Sequence, residues 1–306
     1  MARTRFAPDR GLTVRMSTVI FLLGGLFVAV VVGLMFVFPP AWAPFIGLIG
    51  LGVAWWQWYN SDSIAMRAMH AREVDAQQAP ELYGMIQRLC ALADMPMPRV
   101  GVADTDLPNA FATGRSPSRA VVVVTTGILR RLDADELEGV IAHELSHVAH
   151  RDVLVMTVAS SAGILAGMLS RGAQYGAWLG GGDRRDRNNS GLPIWLLVLI
   201  GSLIVYAISF LLLRLLSRYR ELAADRAGAQ LTMKPRALAS ALQKITGEIN
   251  RIPQQDLRAA QPMNAFFIAP AIGGVSLSTL TSTHPSLEQR LAQLARIEAE
   301  LGRPNA

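Results

Sequence analysis

The sequence predicts an α-helical integral membrane protein with an α+β domain and about four transmembrane or membrane-associated helices. Three observations carry this. The 306 residues are 51% hydrophobic and only 17% charged, and the mean hydropathy is +0.31, too apolar for an ordinary soluble chain. The apolar residues are concentrated in long uncharged runs bordered by arginine. Elsewhere the pattern changes to short β-branched strands and amphipathic helices with recognisable caps. The net charge of +6 does not point to nucleic acid. No Lys/Arg run carries interleaved aromatics, and the basic residues lie beside apolar runs, as at a membrane surface. The single cysteine, Cys90, excludes an internal disulfide and a cysteine-ligated metal site, which leaves helix packing as its role.

The apolar segments come first. Residues 14–38 carry no charge after Arg15 and are long enough to span a bilayer. Pro39 and Pro40 break the chain, and residues 41–59 form a second uncharged stretch whose Trp55, Trp56, Trp58 and Tyr59 suit an interfacial belt. A cleavable signal peptide would be shorter and end at a small-residue site, so the first segment reads as a retained anchor. Arg3, Arg5, Arg10 and Arg15 precede it, which places the N-terminus in the cytoplasm and returns the chain there near Asn60. Residues 153–170 are short and rich in Ala, Ser and Gly. They either cross or lie as a re-entrant or interfacial helix. Residues 171–187, with four arginines offset by Asp183 and Asp186, read with the following Asn188 and Asn189 as a flexible loop. Residues 192–213 are another strong span.

Between the second and third apolar segments the reading is α+β. Residues 73–93 read as a helix broken at Pro80, with Leu82, Ile86 and Leu89 at helical spacing. Residues 99–103 read as a strand. Residues 109–114 and 119–126 flank Arg115-Ser116-Pro117-Ser118, a hairpin turn, and Val121 to Val124 are strongly β-prone. Asp133, with Glu136 three residues on, forms a capping box that opens the next helix. Near the C-terminus a helix from about 286 to 301 carries Leu287, Leu291, Leu294 and Ile297 as its stripe.

The helix opened by Asp133 contains Ala142-His143-Glu144-Leu145-Ser146-His147-Val148, a His-Glu-x-x-His string. Positions i and i+4 share one helical face, so His143 and His147 can point both imidazoles at one metal. Glu144 then sits where a carboxylate can take a proton from water. A surface helix with two solvated histidines is the plain alternative. The apolar Leu137, Val140, Ile141, Leu145 and Val148 argue against it, because a mostly buried helix needs a reason to carry His, Glu and His. A catalytic zinc site takes three protein ligands and keeps one position open. Glu221, in Arg218-Tyr219-Arg220-Glu221-Leu222-Ala223-Ala224-Asp225, is the candidate for the third, and Asp225, one turn on, can orient a ligand histidine. On the residues alone, pairing of Glu221 and Asp225 with Arg218, Arg220 or Arg226 on a solvated face is an equal alternative. His150 reads as a cation at a helix C-terminus, His70 as a surface residue, and Asp152 as a backbone cap.

His143-Glu144-x-x-His147 followed, after further apolar segments, by Glu221-x-x-x-Asp225 resembles the membrane gluzincins of the HtpX heat-shock protease family. Asn109-Ala110-Phe111, Ser217-Arg218 and Thr283-His284-Pro285 match the same family, and the resemblance runs over nearly the whole chain. Two departures are Leu222, where an aromatic residue is common, and the long charged loop after residue 170. The resemblance implies a gluzincin-like catalytic domain holding one Zn2+ per chain on His143, His147 and Glu221. It implies that Asp225 and Arg290 support the site. His284 donates to the oxyanion on this reading; the plain alternative is a capping residue beside Pro285. An extended substrate would lie along the strands around Asn109, Ala110 and Phe111.

The expected function is therefore a multi-pass zinc endopeptidase of the bacterial inner membrane. Its site faces the cytoplasm, and its substrates are misfolded or damaged proteins, membrane proteins among them, in stress-linked quality control. Its partners are those substrates and the lipid bilayer, with no nucleic acid. The expected organisation is a tail and two spans over 1–60, a first catalytic part over 61–152, two apolar segments over 153–216 and a second catalytic part over 217–306. Three rivals stand beside this reading. A prenyl-protein endopeptidase of the CaaX type would need more spans, and a non-enzymatic scaffold holding structural zinc would have no need of Glu144. The last, a transporter or channel, lacks polar residues within the spans.

Overall fold

The structure, a computed structural model, describes residues 10–37, 42–157, 166, 167, 170, 194–251 and 284–302. Most of the expected segment 153–170, the charged loop after it and Thr283 lie outside the described residues. The chain divides into two compact units. One comprises Met1–Met16, Trp58–Leu154 and Ser217–Ala306; the other comprises Ser17–Gln57 and Val155–Leu216.

The second unit is built from apolar helix. Helix α1 (Arg10–Val37) and helix α2 (Trp42–Tyr59) follow the first two uncharged runs. The long helix α7 (Ile194–Thr232) begins in the run at 192–213. Windows at Thr13–Val30 and Leu196–Thr232 are long and apolar enough to cross a membrane. Phe21, Leu22, Trp55, Trp56, Leu203 and Ile204 are all exposed. Such surface suits hydrocarbon better than water.

The first unit is α+β. Its elements are α3 (Ser61–Ala68), β1 (Arg72–Val74), α4 (Pro80–Ala93), β2 (Arg99–Ala103), β3 (Ala110–Gly114), β4 (Ala120–Thr125), α5 (Thr126–Arg131) and α6 (Ala134–Ala149). The end of α7, α8 (Pro235–Arg251) and α9 (Leu287–Leu301) complete it. The strands form a mixed sheet in the order β1-β2-β4-β3. β2 and β4 run parallel in the centre, while β1 and β3 pair antiparallel at the two edges. The expected β3–β4 hairpin forms, with a 3-10 turn at Pro117–Arg119. Gly114 closes β3 at φ +146, where an added Cβ would lie 2.4 Å from the Arg119 carbonyl oxygen, so this position requires glycine.

One expectation is corrected. Residues 73–79 are not helical: Arg72–Val74 pair with Val100–Val102 as a strand, and the helix starts only at Pro80. The Asp75 carboxylate accepts from the backbone N–H groups of Gln77 and Gln78, which turns the chain first. Pro80 then occupies the first helical turn, where its missing N–H costs nothing.

Val122 and Val124 on one face of the sheet share the main core with Ile86 and Leu89 of α4 and Ile141 and Leu145 of α6, and α8 packs on α6 and α9 on α8 to add Leu242 and Leu294. The other face packs Phe111, Val121 and Val123 on Ala65 of α3 and on Met69, which caps that helix. Cys90 lies in the main core, and burial pushes its thiol up to about 11, as suits a packing residue. Helix α6 is the central element and is buried from Glu136 to Val148. Its Asp133–Glu136 capping box forms as expected. Glu136 is held by Ser240 and Lys244, and Glu138 by Arg88 and Lys234, so each buried carboxylate is paired.

Candidate active site

The helical period of α6 brings the two histidines of the motif together. His143 Nε2 and His147 Nε2 lie 3.2 Å apart, with the rings nearly perpendicular at 86°. Helix α7 supplies Glu221 from the side: Oε2 is 3.6 Å from His143 Nε2 and Oε1 is 3.5 Å from His147 Nε2. All three residues are buried. The approach of α7 depends on Gly228, whose absent Cβ would lie 2.8 Å from the His143 backbone nitrogen.

These distances test whether the site fits a metal. Ligand atoms about 2.0–2.1 Å from a tetrahedral zinc lie roughly 3.3–3.4 Å from one another. The distances seen here are close to that value, 3.2 Å between the two Nε2 atoms and 3.5 and 3.6 Å from them to one or the other Glu221 oxygen. The chemistry agrees. Each histidine turns its Nδ1 toward a carboxylate, which leaves the two Nε2 atoms as acceptors facing each other and facing an anionic oxygen. Glu221 Oε2 is buried without an aligned hydrogen bond. Three electron-pair donors converging on one point call for a cation.

Behind the histidines stand two carboxylate–arginine pairs. His143 Nδ1 is 2.9 Å from Asp225 Oδ1, and Arg290 donates to both Asp225 oxygens at 2.8 and 2.6 Å. Arg290 is buried, so its charge is compensated by that fork-to-fork pairing. His147 Nδ1 is 2.5 Å from Asp152 Oδ2, and Arg220 Nε is 3.0 Å from the same oxygen. The sequence names Asp225 as a residue that can orient a ligand histidine and Arg290 separately, without pairing the two, and it does not point to the Asp152–Arg220 pair. The i,i+5 spacing of His147 and Asp152 is not a same-face helical spacing, so nothing in the sequence joins them. Burial opposes charge on His143, but the carboxylates of Asp225 and Glu221 outweigh it and carry the imidazole up to about 9.

Glu144 points to the other side. Its Oε2 accepts from the backbone N–H of Ala112, 3.0 Å away, on edge strand β3. Burial pushes its carboxyl above the ordinary range; His143 and His147 oppose that and Glu221 adds to it. The outward direction of the Ala112 N–H sets which groups β3 presents: Ala110, Ala112 and Gly114 face away from β4, by antiparallel alternation. The Asn109, Ala110 and Phe111 side chains are themselves buried, with Phe111 in the core on the α3 side.

His284 is buried, with Nδ1 3.2 Å from Glu221 Oε2. It precedes Ser286, whose capping box with Gln289 starts α9. His150 caps the end of α6, with Nδ1 2.8 Å from the Ser146 carbonyl oxygen, and His70 is exposed.

Residues 76–298 match the model of peptidase family M48. Several curated proteins are similar along nearly their full length. A protein named protease HtpX homolog 1 from Streptomyces coelicolor is 54% identical over 301 residues, covering 98% of this chain and 97% of its own. A protease HtpX homolog from Moorella thermoacetica is 48% identical, covering 98% of each. A protease HtpX homolog 2 from Methanosarcina acetivorans is 45% identical, covering 98% and 99%. The crystal structure of Ste24p from S. mikatae is similar in fold, with a TM-score of 0.57 at 16% identity; the match covers 92% of this chain and 65% of that longer one.

Proposed function

The chain belongs to peptidase family M48, as an HtpX-type membrane metalloprotease, and from that premise we propose that it is a zinc endopeptidase with His143, His147 and Glu221 as metal ligands and Glu144 as general base. The observation that carries this is the convergence of three buried donor atoms beside a carboxylate that an edge strand holds in place. When bound, zinc supplies Lewis acidity, which acidifies a water and polarises a carbonyl. The remaining work falls to the chain. An extended peptide pairs with the outward main-chain groups of β3 other than the Ala112 N–H, which Glu144 holds, and this brings its scissile carbonyl beside α6. Glu144 takes the proton from the attacking water and passes it to the leaving amine. Its hydrogen bond from Ala112 fixes one oxygen against the strand that carries the substrate, so base and substrate share one reference frame. His284 donates to the oxygen that gains charge, the role the resemblance implies. Asp225 and Arg290 hold His143 in the tautomer that leaves Nε2 for the metal.

The proposal places the enzyme in the bacterial inner membrane with about four apolar segments and the site on the cytoplasmic side. The arginine-rich N-terminus supports that orientation. The motif helix leads directly into residue 153 and Glu221 follows the 192–213 run by eight residues, so cleavage takes place near the bilayer surface. Misfolded or damaged membrane proteins are the substrates this suits. The likeness to Ste24p is one of fold and gives no reason to prefer a prenylated substrate.

The test is degradation of casein by zinc-loaded enzyme in detergent, beside Glu144→Gln. Cleavage by the wild type alone, with one zinc retained in both, is the expected result. Equal cleavage by both would remove Glu144 from the mechanism. No cleavage by either would favour a non-enzymatic zinc scaffold.

A further inference from the structure

We infer that Asp152 is a positioning residue for the metal site: its carboxylate, backed by Arg220, fixes the ring plane and tautomer of His147. The inference deepens the proposed function and rests on the assignment of His143, His147 and Glu221 as ligands. Asp152 is 3% exposed, and a carboxylate is not buried without a partner that repays its lost hydration. Its partners are His147 Nδ1 at 2.5 Å and Arg220 Nε at 3.0 Å, both on Oδ2. A carboxylate kept for capping its own helix would accept backbone N–H bonds, whereas Oδ1 is buried and accepts none.

The backbone is shaped to bring it there. Helix α6 ends at Ala149 with His150 as its cap, and Arg151 adopts φ 55, in the left-handed region. That residue interrupts the helix before helical residues 152–157 resume, and Asp152 meets His147 five positions earlier. Arg220 immediately precedes Glu221 on α7. The Arg220–Asp152 ion pair therefore ties the element carrying the third ligand to the side chain that orients the second.

The arrangement resembles the one around the other histidine, except that Arg290 donates two hydrogen bonds to Asp225 while Arg220 Nε is an ion-pair neighbour of Asp152 without an aligned hydrogen bond. His143 meets Asp225, and Asp225 meets Arg290. His147 meets Asp152, and Asp152 meets Arg220. In both, the carboxylate accepts the Nδ1 proton, so Nε2 keeps its lone pair for the metal, and the arginine keeps the carboxylate ionised and in place. The Asp225 relay is spelled by the Glu-x-x-x-Asp string; the Asp152 relay is assembled only by the turn at Arg151.

The experiment measures Zn2+ affinity by chelator competition in the full-length protein in detergent, for wild type, Asp152→Asn, Asp152→Ala and His147→Ala. Visible absorption of the Co2+-substituted forms reports coordination geometry, and thermal unfolding of the metal-free forms reports folding. The asparagine can still accept from Nδ1 without the charge, so the expected loss is about tenfold for Asp152→Asn and up to about 100-fold for Asp152→Ala. The cobalt bands should shift in the same order. Zinc affinity within twofold of wild type in both variants, with unchanged cobalt spectra, would overturn the proposal. If metal-free Asp152→Ala does not fold, the near-isosteric asparagine variant decides by the same two readouts. Wild-type affinity in His147→Ala would instead overturn the ligand assignment, and this inference with it.

Discussion

Gly228→Ala tests the approach of α7 to α6, on which the third ligand depends. The added Cβ would lie 2.8 Å from the His143 nitrogen, 3.1 Å from its Cα and 3.2 Å from the Ala142 carbonyl carbon. All three are backbone atoms of a buried helix and cannot rotate away. Ordinary contacts begin near 3.4 Å, so α7 has to retreat by roughly 0.6 Å. Gly228 lies at i+7 from Glu221 and i+3 from Asp225, on the same helical face. The retreat therefore moves the Glu221 carboxylate and the Asp225 that orients His143. Metal sites tolerate errors of about 0.2 Å in ligand distance, and a misplacement of about 1 Å can cost 100-fold in rate. We expect kcat/KM on casein to fall by about 10–100-fold, with weaker zinc binding. Stability should fall by about 0–2 kcal/mol, because overpacking of about 1–3 kcal/mol is partly offset by the helix propensity gained from replacing glycine, about 1 kcal/mol. The control is Gly247→Ala on α8, where an added Cβ meets nothing within 4 Å. It should stabilise by about 0.5–1 kcal/mol and leave turnover alone. Wild-type activity in Gly228→Ala, with a melting gain equal to that of Gly247→Ala, would refute the close approach and the site geometry built on it.

Two further predictions concern charge. Asp225→Leu leaves Arg290 buried without its carboxylate. Urea unfolding should show a loss of about 3–5 kcal/mol, against little change if the pair were solvated. Glu136 is penalised by burial, yet Lys244, Ser240 and the Asp133 backbone N–H hold its carboxyl below the ordinary range in the folded protein. Its contribution to stability is present above the unfolded value of about 4.3 and is lost as pH falls through the lower folded value. Lys244→Met should raise the pH of acid unfolding, followed by circular dichroism. An unchanged acid midpoint would show that Lys244 does not hold Glu136 down.

Much of this protein was legible in the sequence because its signals are local. Apolar runs of bilayer length, the Asp133–Glu136 box, the valine strand and the i,i+4 histidines each need only neighbouring residues to have meaning. Glu221 and Asp225 were named from the sequence for the same reason, through their one-turn spacing and their resemblance to a known string. Other features depend on partners far along the chain. Arg72–Val74 become a strand because β2 offers an edge, against a helical pattern that began at residue 73. That β3, not another strand, is the edge beside α6 follows from the sheet order, which local propensity does not encode. The Asn109, Ala110 and Phe111 side chains, expected at a contact surface, are buried by packing that local sequence does not encode. Asp152 read as a backbone cap until the left-handed turn at Arg151 swung it onto His147. The sequence thus determined which side chains can bind a metal and move a proton, since residue type fixes that chemistry. The tertiary structure decided which of them meet, because distances of about 3 Å between α6, α7, α9 and β3 are set by packing between elements remote in sequence.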